Sequence, residues 1–337
     1  MIDNPHCPVC DHHAWRPIGR RTFRRAQADR VTGWHRRAFD ILFQVWAPDA
    51  EEFSVVYQLC EECGFVLYTP RPSSADVDAK YAFSKGLPRA KAYVPYDTPW
   101  ETLRTRRIFD ILAPHLDDVR GARILDYGGS DGRLVRSLAE AGAACEVADY
   151  SGSAVPGVKQ VGATLTDLDA QARYDAILCS HVAEHVTEPV RLVQDLAALL
   201  KPGGTMYVEV PVEIWRRPPA PSEPVTHINF FTPASLHRLM ARTGLAVEYC
   251  RLGAHPHPQG GWRMVAGCIA HNRGAATQPA VGDGVREVES LLKPGLGLRL
   301  RHRALLARDI PAAILRKARR FAGGGAGARD LSGHDAH

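Results

Sequence analysis

Short apolar runs alternate with longer amphipathic stretches through the middle of the chain. The run Arg123-Ile124-Leu125 is closed by Asp126, followed by a glycine-rich turn and a helix predicted from near Arg133. A second apolar segment, Glu146-Val147-Ala148, is closed by Asp149. Residues 174–180, with the apolar run Ala176-Ile177-Leu178-Cys179 at their centre, read as a buried strand leading into a helix over residues 182–200. Lys201-Pro202-Gly203-Gly204 carries the residues that stop helices, and residues 205–210 read as the next strand, closed by Pro211. Residues 246–252 and 262–270 then fit an antiparallel hairpin. Strands and helices alternating in this way predict an α/β fold, a doubly wound Rossmann-like parallel sheet with its ligand at the carboxyl ends of the strands.

The turn Asp126-Tyr127-Gly128-Gly129-Ser130-Asp131-Gly132 carries the first chemical signal. Glycine lets the backbone approach a ligand closely, because no Cβ intervenes. A dinucleotide site would carry G-x-G-x-x-G and place its acid about 20 residues later. Here an acid precedes the glycines and Asp149 closes the following strand. Asp126 can face the amino group of a zwitterion while Asp149 accepts two ribose hydroxyls, a pairing that suits S-adenosylmethionine. Gly162-Ala163-Thr164-Leu165-Thr166-Asp167-Leu168 ends in an acid and a leucine suited to an adenine edge.

Cysteine usage adds a second chemistry. Of eight cysteines, four sit in Cys7-Pro8-Val9-Cys10 and Cys60-Glu61-Glu62-Cys63-Gly64. Two C-x-x-C pairs have the spacing of a tetrahedral zinc site, and four thiolates leave no open position, so the expected zinc is structural. The long segment between Cys10 and Cys60 argues for free thiols instead, and His6, His12 and His13 are alternative ligands. The 337 residues, 45% hydrophobic, suffice for one large core and a small module. No apolar run approaches a bilayer span, and the amino terminus lacks a signal peptide's apolar run, so a cytoplasmic location is expected.

The chain resembles the class I S-adenosylmethionine-dependent methyltransferases. The resemblance rests on Asp126-x-Gly128-x-Ser130-x-Gly132, Asp149, Glu184-His185-Val186, Leu199 to Gly204 and His227-x-x-x-Phe231-Thr232, and spans roughly residues 100–271. It implies a seven-stranded sheet and a cofactor site of Asp126, Gly128, Ser130, Gly132, Asp149, Tyr150, Asp167, Leu168 and Ser180. Ser130 departs from the family's usual glycine. The C-x-x-C-G knuckle running into Thr69-Pro70-Arg71-Pro72 is similar to the zinc-ribbon segment of sugar and polysaccharide-associated methyltransferases, with Thr69 in place of Asn. In those enzymes a Glu-His pair before two aromatics serves as base. His227 matches the His, but Thr226 stands at the Glu position, which favours O- over C-methylation. Gly260-Gly261-Trp262-Arg263 is similar to the Gly-Gly-x-x-Arg segment of sugar C-methyltransferases, one residue shorter before its Arg.

His181-Val182-Ala183-Glu184-His185 also fits the H-x-x-E-H metalloprotease pattern, and helical spacing would align His181, Glu184, His185 and Glu188. Similar positions hold a divalent metal in ubiquinone-pathway O-methyltransferases. The expected role is pocket lining, with His181 near the methyl donor. The implied organisation is a zinc-ribbon module (1–85), a methyltransferase domain (86–272), and a linker and basic helical tail (273–337) whose end is disordered. Residues 293–320 hold nine Lys or Arg against Asp309, so the tail suits an anionic membrane surface or packing on protein. The expected acceptor is a sugar, a glycan or a lipid-linked saccharide. An RNA substrate bound through Arg16, Arg20, Arg21, Arg24, Arg25, Arg30, Arg36 and Arg37, and a non-catalytic binding module, are the alternatives.

Overall fold

The computed structural model describes residues 1–3, 5–86, 98–214, 225–256, 262–273 and 283–293. The Pro-rich stretch 216–221, Gly260-Gly261, most of the 274–284 linker and the basic tail beyond residue 293 lie outside the described residues.

The apolar runs become the strands of a seven-stranded sheet. These are β4 (Arg123–Tyr127), β5 (Ala144–Ala148), β6 (Val158–Gly162), β7 (Tyr174–Ser180), β8 (Leu200–Pro211), β10 (Ala246–Pro256) and β11 (Trp262–His271), in the order β10-β11-β8-β7-β4-β5-β6. β6, β5, β4, β7 and β8 run parallel, and β11 is antiparallel to both β8 and β10. Four other strands, β1 (Trp15–Arg24), β2 (Glu52–Cys60), β3 (Val66–Thr69) and β9 (Asn229–Phe230), pair in that order in a second sheet. The two-residue β9 comes from the segment after β8, so the amino-terminal sheet is completed by the central chain.

Helices cover both faces of the large sheet. On one face α3 (Pro99–Leu112) and α4 (Arg136–Glu140) bury Ile108, Leu112 and Leu138 against Ile124, Leu178 and Tyr207. On the other, α5 (Pro189–Ala197) and α6 (Pro233–Arg242) bury Leu192, Leu196, Leu236 and Leu239 against Leu125, Ile177 and Val208. Each fully buried Leu or Ile contributes about 1.5–3 kcal/mol, so these stripes fix the sheet's two faces. The remaining helices, α1 (Gly33–Asp40), α2 (Ser74–Gly86) and α7 (Asp283–Leu292), pack around the second sheet and its core.

Two expected boundaries change. Helix α5 begins at Pro189 rather than at residue 182: Glu188 before it has φ −123° and ψ 71°, outside the helical region, and Pro189 supplies the first helical position. The helix ends at Ala197, and Lys201 to Gly204 belong to the start of β8. There the ladder skips from Tyr174↔Leu200 to Ala176↔Thr205, with Gly203 at φ 79°.

The long separation of the two knuckles is closed by pairing. β1 and β2 form a ladder that sets Trp15 opposite Cys60, returning the chain from the first knuckle to the second. In each knuckle the residue after the second cysteine donates its N–H to the carbonyl of the first. Asp11 does so to Cys7 at 2.8 Å and Gly64 to Cys60 at 3.0 Å, both with positive φ. Gly64 also abuts the start of α7, where a Cβ would lie 2.0 Å from the Gly284 backbone. Gly33 has a similar φ but open space around its Cα. Gly33→Ala should therefore lose only the left-handed backbone preference, about 1–2 kcal/mol. Gly64→Ala should lose clearly more and raise amide exchange across residues 283–292. Equal losses in urea denaturation would show that the α7 contact contributes nothing.

Candidate active site

The carboxyl ends of β4, β7 and β8 lie side by side, and the candidate residues converge there. β4 ends in Asp126-Tyr127, and the chain then turns through Gly128 (φ 70°), Ser130 (φ 57°) and Gly132 (φ 73°). The Ser130 conformation is one that glycine adopts without strain, which explains why glycine suits this position. Gly129 lies directly on Asp126, where an added Cβ would sit 2.1 Å from the carboxylate. Asp126 is fully buried, and neither carboxylate oxygen has a hydrogen-bond partner among the described residues. Burial pushes its pKa up to about 7, with Asp149 and Asp131 adding to the rise and Arg104 opposing it. A buried acceptor without a donor is rare in folded proteins, and an ammonium group is the partner its chemistry suits.

Asp149 follows β5 and accepts the Ser151 N–H on Oδ1 at 2.8 Å. Tyr150 is 39% exposed, 5.5 Å from the Tyr81 ring of α2, with the Lys85 ammonium 4.4 Å from its ring centre. α2 thus covers the edge of the site from the amino-terminal region. Asp167 Oδ2 is taken up within its own turn by the N–H groups of Ala163 and Thr164 and the Thr164 hydroxyl. These bonds hold its carboxyl below the usual range. Leu168 packs on the main core, and Ser180 Oγ donates to Glu209 Oε1 at 3.3 Å.

The residues after β7 form a turn, not the helix expected from their spacing. Their backbone is held by the segment that carries His227. Ile228 and Asn229 donate N–H to the Glu184 carbonyl at 2.8 and 3.1 Å, and Asn229 Nδ2 donates to the carbonyls of Ala183 and Val186. Consequently Glu184, His185 and His227 meet, with ligand-capable atoms within 4.8 Å of one another, whereas Glu188 stands just before α5 outside the cluster. The His185 and His227 rings are 4.7 Å apart. His185 Nδ1–H donates to the Thr226 carbonyl at 2.9 Å, and His227 Nδ1–H donates to Glu213 Oε2 at 2.6 Å. Both assignments leave Nε2 with a lone pair in the neutral ring. Burial pushes His185 down to about 3, with His227 next in effect. Burial would raise Glu184, but His181, His185 and His227 outweigh it and hold the carboxyl near 2.

His181 joins a second group. Its Nε2 lies 3.1 Å from His255 Nε2 and its Nδ1 3.2 Å from Glu184 Oε1. His255 and Glu209 are buried, and Arg107 of α3 meets Glu209 Oε2 at 2.5 Å. Burial would raise the Glu209 carboxyl, yet Arg107 keeps it well below the ordinary range. Glu213, Glu209, His255, Arg104 and Arg107 were not legible as site residues from the sequence. Glu213 precedes His227 by fourteen positions in no periodic relation, and Arg107 lies on a helix more than seventy residues before His181.

The four knuckle cysteines also converge. Cys7 and Cys63 Sγ atoms are 3.6 Å apart, Cys10 and Cys60 Sγ atoms 3.5 Å apart, and all four lie within 4.8 Å of one another. Tetrahedral Zn–S bonds of about 2.3 Å place sulfurs about 3.8 Å apart, so the set fits zinc. His6 instead contacts Asp11 at 3.2 Å.

The Asp126 carboxyl has a pH signature. Its folded pKa, about 7, exceeds the unfolded 3.8, so between these values the folded state keeps a proton that the unfolded state has released. Stability of the ligand-free protein should fall as pH rises from about 4 to 7. Asp126→Asn removes this dependence, and its advantage over wild type should grow across that window to at most about 4 kcal/mol. Chemical denaturation at several pH values measures it, and a constant difference would contradict the burial argument.

Residues 100–249 match the family model described as a methyltransferase domain. Ubiquinone biosynthesis O-methyltransferase from Xanthomonas oryzae pv. oryzae is 32% identical over 104 residues, covering 27% of this chain and 44% of that protein. The Coxiella burnetii protein of the same name is 33% identical over 102 residues, covering 26% and 43%. The chain thus spans under half the length of these curated relatives. A solved structure of Burkholderia thailandensis 1,6-didemethyltoxoflavin-N1-methyltransferase with S-adenosylhomocysteine is 20% identical and covers 58% of this chain and 85% of that one, with a TM-score of 0.41. The glycine turn with its buried acid, the strand order and the family match agree: residues 100–249 are a methyltransferase domain of the class I, S-adenosylmethionine-dependent kind.

Proposed function

We propose that this protein transfers a methyl group from S-adenosylmethionine to a hydroxyl of a sugar or glycan, with His227 as general base. The observation that carries the reading is the 2.6 Å contact between His227 Nδ1 and Glu213. The chain lacks the Glu that precedes this His in similar sugar enzymes, and Glu213 brings a carboxylate to the ring from another part of the chain. Bound S-adenosylmethionine supplies an electrophilic methyl group. Asp126 offers its unpaired carboxylate to the ammonium, and Asp149 offers carboxylate oxygen to the ribose hydroxyls. His227 Nε2 takes the acceptor's proton as the oxygen attacks, while Glu213 orients the ring and stabilises the imidazolium. The name of the curated relatives supports an oxygen acceptor, and it makes a hydroxyl on a ubiquinone-pathway compound the second reading.

Four of the eight amino-terminal arginines, Arg16, Arg24, Arg25 and Arg36, are ion-paired with Glu289, Glu52, Glu51 and Asp40. Internal pairing of this kind supports an acceptor other than a nucleic-acid backbone. No helix among the described residues is long and apolar enough to cross a membrane. A peripheral contact through the basic tail remains part of the proposal. The four cysteines are proposed to hold a structural zinc that fixes the amino-terminal sheet to the main core.

Calorimetric titration should show micromolar S-adenosylmethionine binding that Asp149→Ala abolishes. Failure of well-folded wild type to bind would overturn the enzymatic reading. With a labelled methyl donor and a panel of glycan and phenolic acceptors, His227→Asn should lower kcat about 10²–10⁴-fold while cofactor affinity stays unchanged. Glu213→Gln should lower kcat less, and unaltered turnover in both variants would remove the base. Zinc removal by a strong chelator should release one equivalent of metal and lower the melting temperature. An unchanged melt would show that the cysteines act as free thiols.

A further inference from the structure

Three potential ligands converge at the end of the sheet away from the glycine turn. His115 closes the turn that follows α3, Glu248 lies on β10 and His271 ends β11, with ligand-capable atoms all within 4.8 Å of one another. His271 Nε2 is 2.7 Å from Glu248 Oε2, and His115 Nδ1 is 3.4 Å from the same oxygen. The Thr205 hydroxyl contacts His271 Nδ1 at 3.1 Å.

The backbone is shaped around this group. The β10–β11 register is regular from Tyr249 onward but skips between Val247 and Tyr249, so Glu248 is the extra residue of a β-bulge. Bulges re-aim a side chain that strict alternation would send elsewhere. Here the bulge lies beside the Ala246↔His271 pair, and Glu248 reaches both imidazoles. Metal binding takes the neutral imidazole and the ionised carboxylate. Arg273 is the cation that faces the cluster.

We infer that His115, Glu248 and His271 form a site for one divalent transition-metal ion of the zinc and nickel class. Two histidines and a glutamate are a known three-ligand set for zinc, and metal–ligand bonds near 2.0–2.1 Å require donor atoms about 3.0–3.4 Å apart. The observed 2.7 and 3.4 Å separations reach that range with shifts of a few tenths of an ångström. Thr205 acts as the outer partner that fixes the His271 ring. The Glu248 side chain is 42% exposed, which gives an entry path and leaves a coordination position to water. The ion would tie the end of α3, whose Arg107 reaches Glu209, to the β10–β11 hairpin. None of the three ligands belongs to the His227 cluster, so the site does not depend on the proposed reaction.

The test uses tag-free full-length protein with its cysteine cluster saturated with zinc. Titration with Ni²⁺ should show one further equivalent at micromolar affinity and a rise in melting temperature. His115→Ala and Glu248→Gln, both at partly accessible positions, should weaken Ni²⁺ binding at least about 10-fold and leave S-adenosylhomocysteine binding and circular dichroism unchanged. Co²⁺ should give d–d bands without sulfur charge transfer. No added equivalent, equal affinity in both variants, or a sulfur charge-transfer band marking exchange into the cysteine cluster would each overturn the site.

Discussion

The buried Arg71–Asn229 clamp is the interaction on which the rest of the structure depends. Arg71 is 3% exposed and donates to the Ile228 and Thr187 carbonyls and to Asn229 Oδ1. Asn229 in turn donates to the Ala183 and Val186 carbonyls. Among the described residues the guanidinium bonds to carbonyl and amide oxygens, and burial lowers its pKa to about 10 against the opposing influence of Tyr68 and Cys7. Those donors are placed where irregular backbone would otherwise be left unsatisfied. One side chain from the turn after β3 thereby holds the post-β7 turn and the His227 segment in register.

That clamp explains why the amino-terminal region is continuous with the large sheet and the His227 segment. β9 closes the small sheet against β3, and Tyr68 donates its hydroxyl to the Val225 carbonyl at 2.6 Å. Cys7, Cys60 and Cys63 lie in the same hydrophobic cluster as Leu125, Ile177 and Val208 of the large sheet. A cysteine cluster packed into the main core is tied to the Glu184, His185 and His227 group through shared packing and backbone.

Electrostatics divide the site into three parts along neighbouring strand ends. Asp126 is a carboxyl that burial keeps close to protonation until a cation arrives. Glu184 is a buried carboxylate kept ionised by histidines, and Glu209 one kept ionised by Arg107. The same desolvation therefore has opposite outcomes, decided by whether the surrounding groups outweigh it: Arg104 does not at Asp126, whereas Arg107 does at Glu209. This arrangement leaves the glycine turn suited to a zwitterion and the His227 side suited to moving a proton.

The sequence by itself determined the parallel core, the glycine turn with its two acids and the paired cysteines. These depend on local periodicity, on backbone conformations only small residues accept, and on ligand spacing within four or five residues. It also singled out Glu184 and His185, but with a helical alignment to His181 that the positive φ of His181 removes, and it singled out His227 through the resemblance of its segment to sugar methyltransferases. Tertiary structure alone decided that Glu213 partners His227, that Arg107 neutralises Glu209 and that His255 faces His181. Those contacts join residues fourteen to more than one hundred positions apart, and no local pattern encodes such pairings. They follow from strand order and from the hydrogen bonds that buried backbone must make.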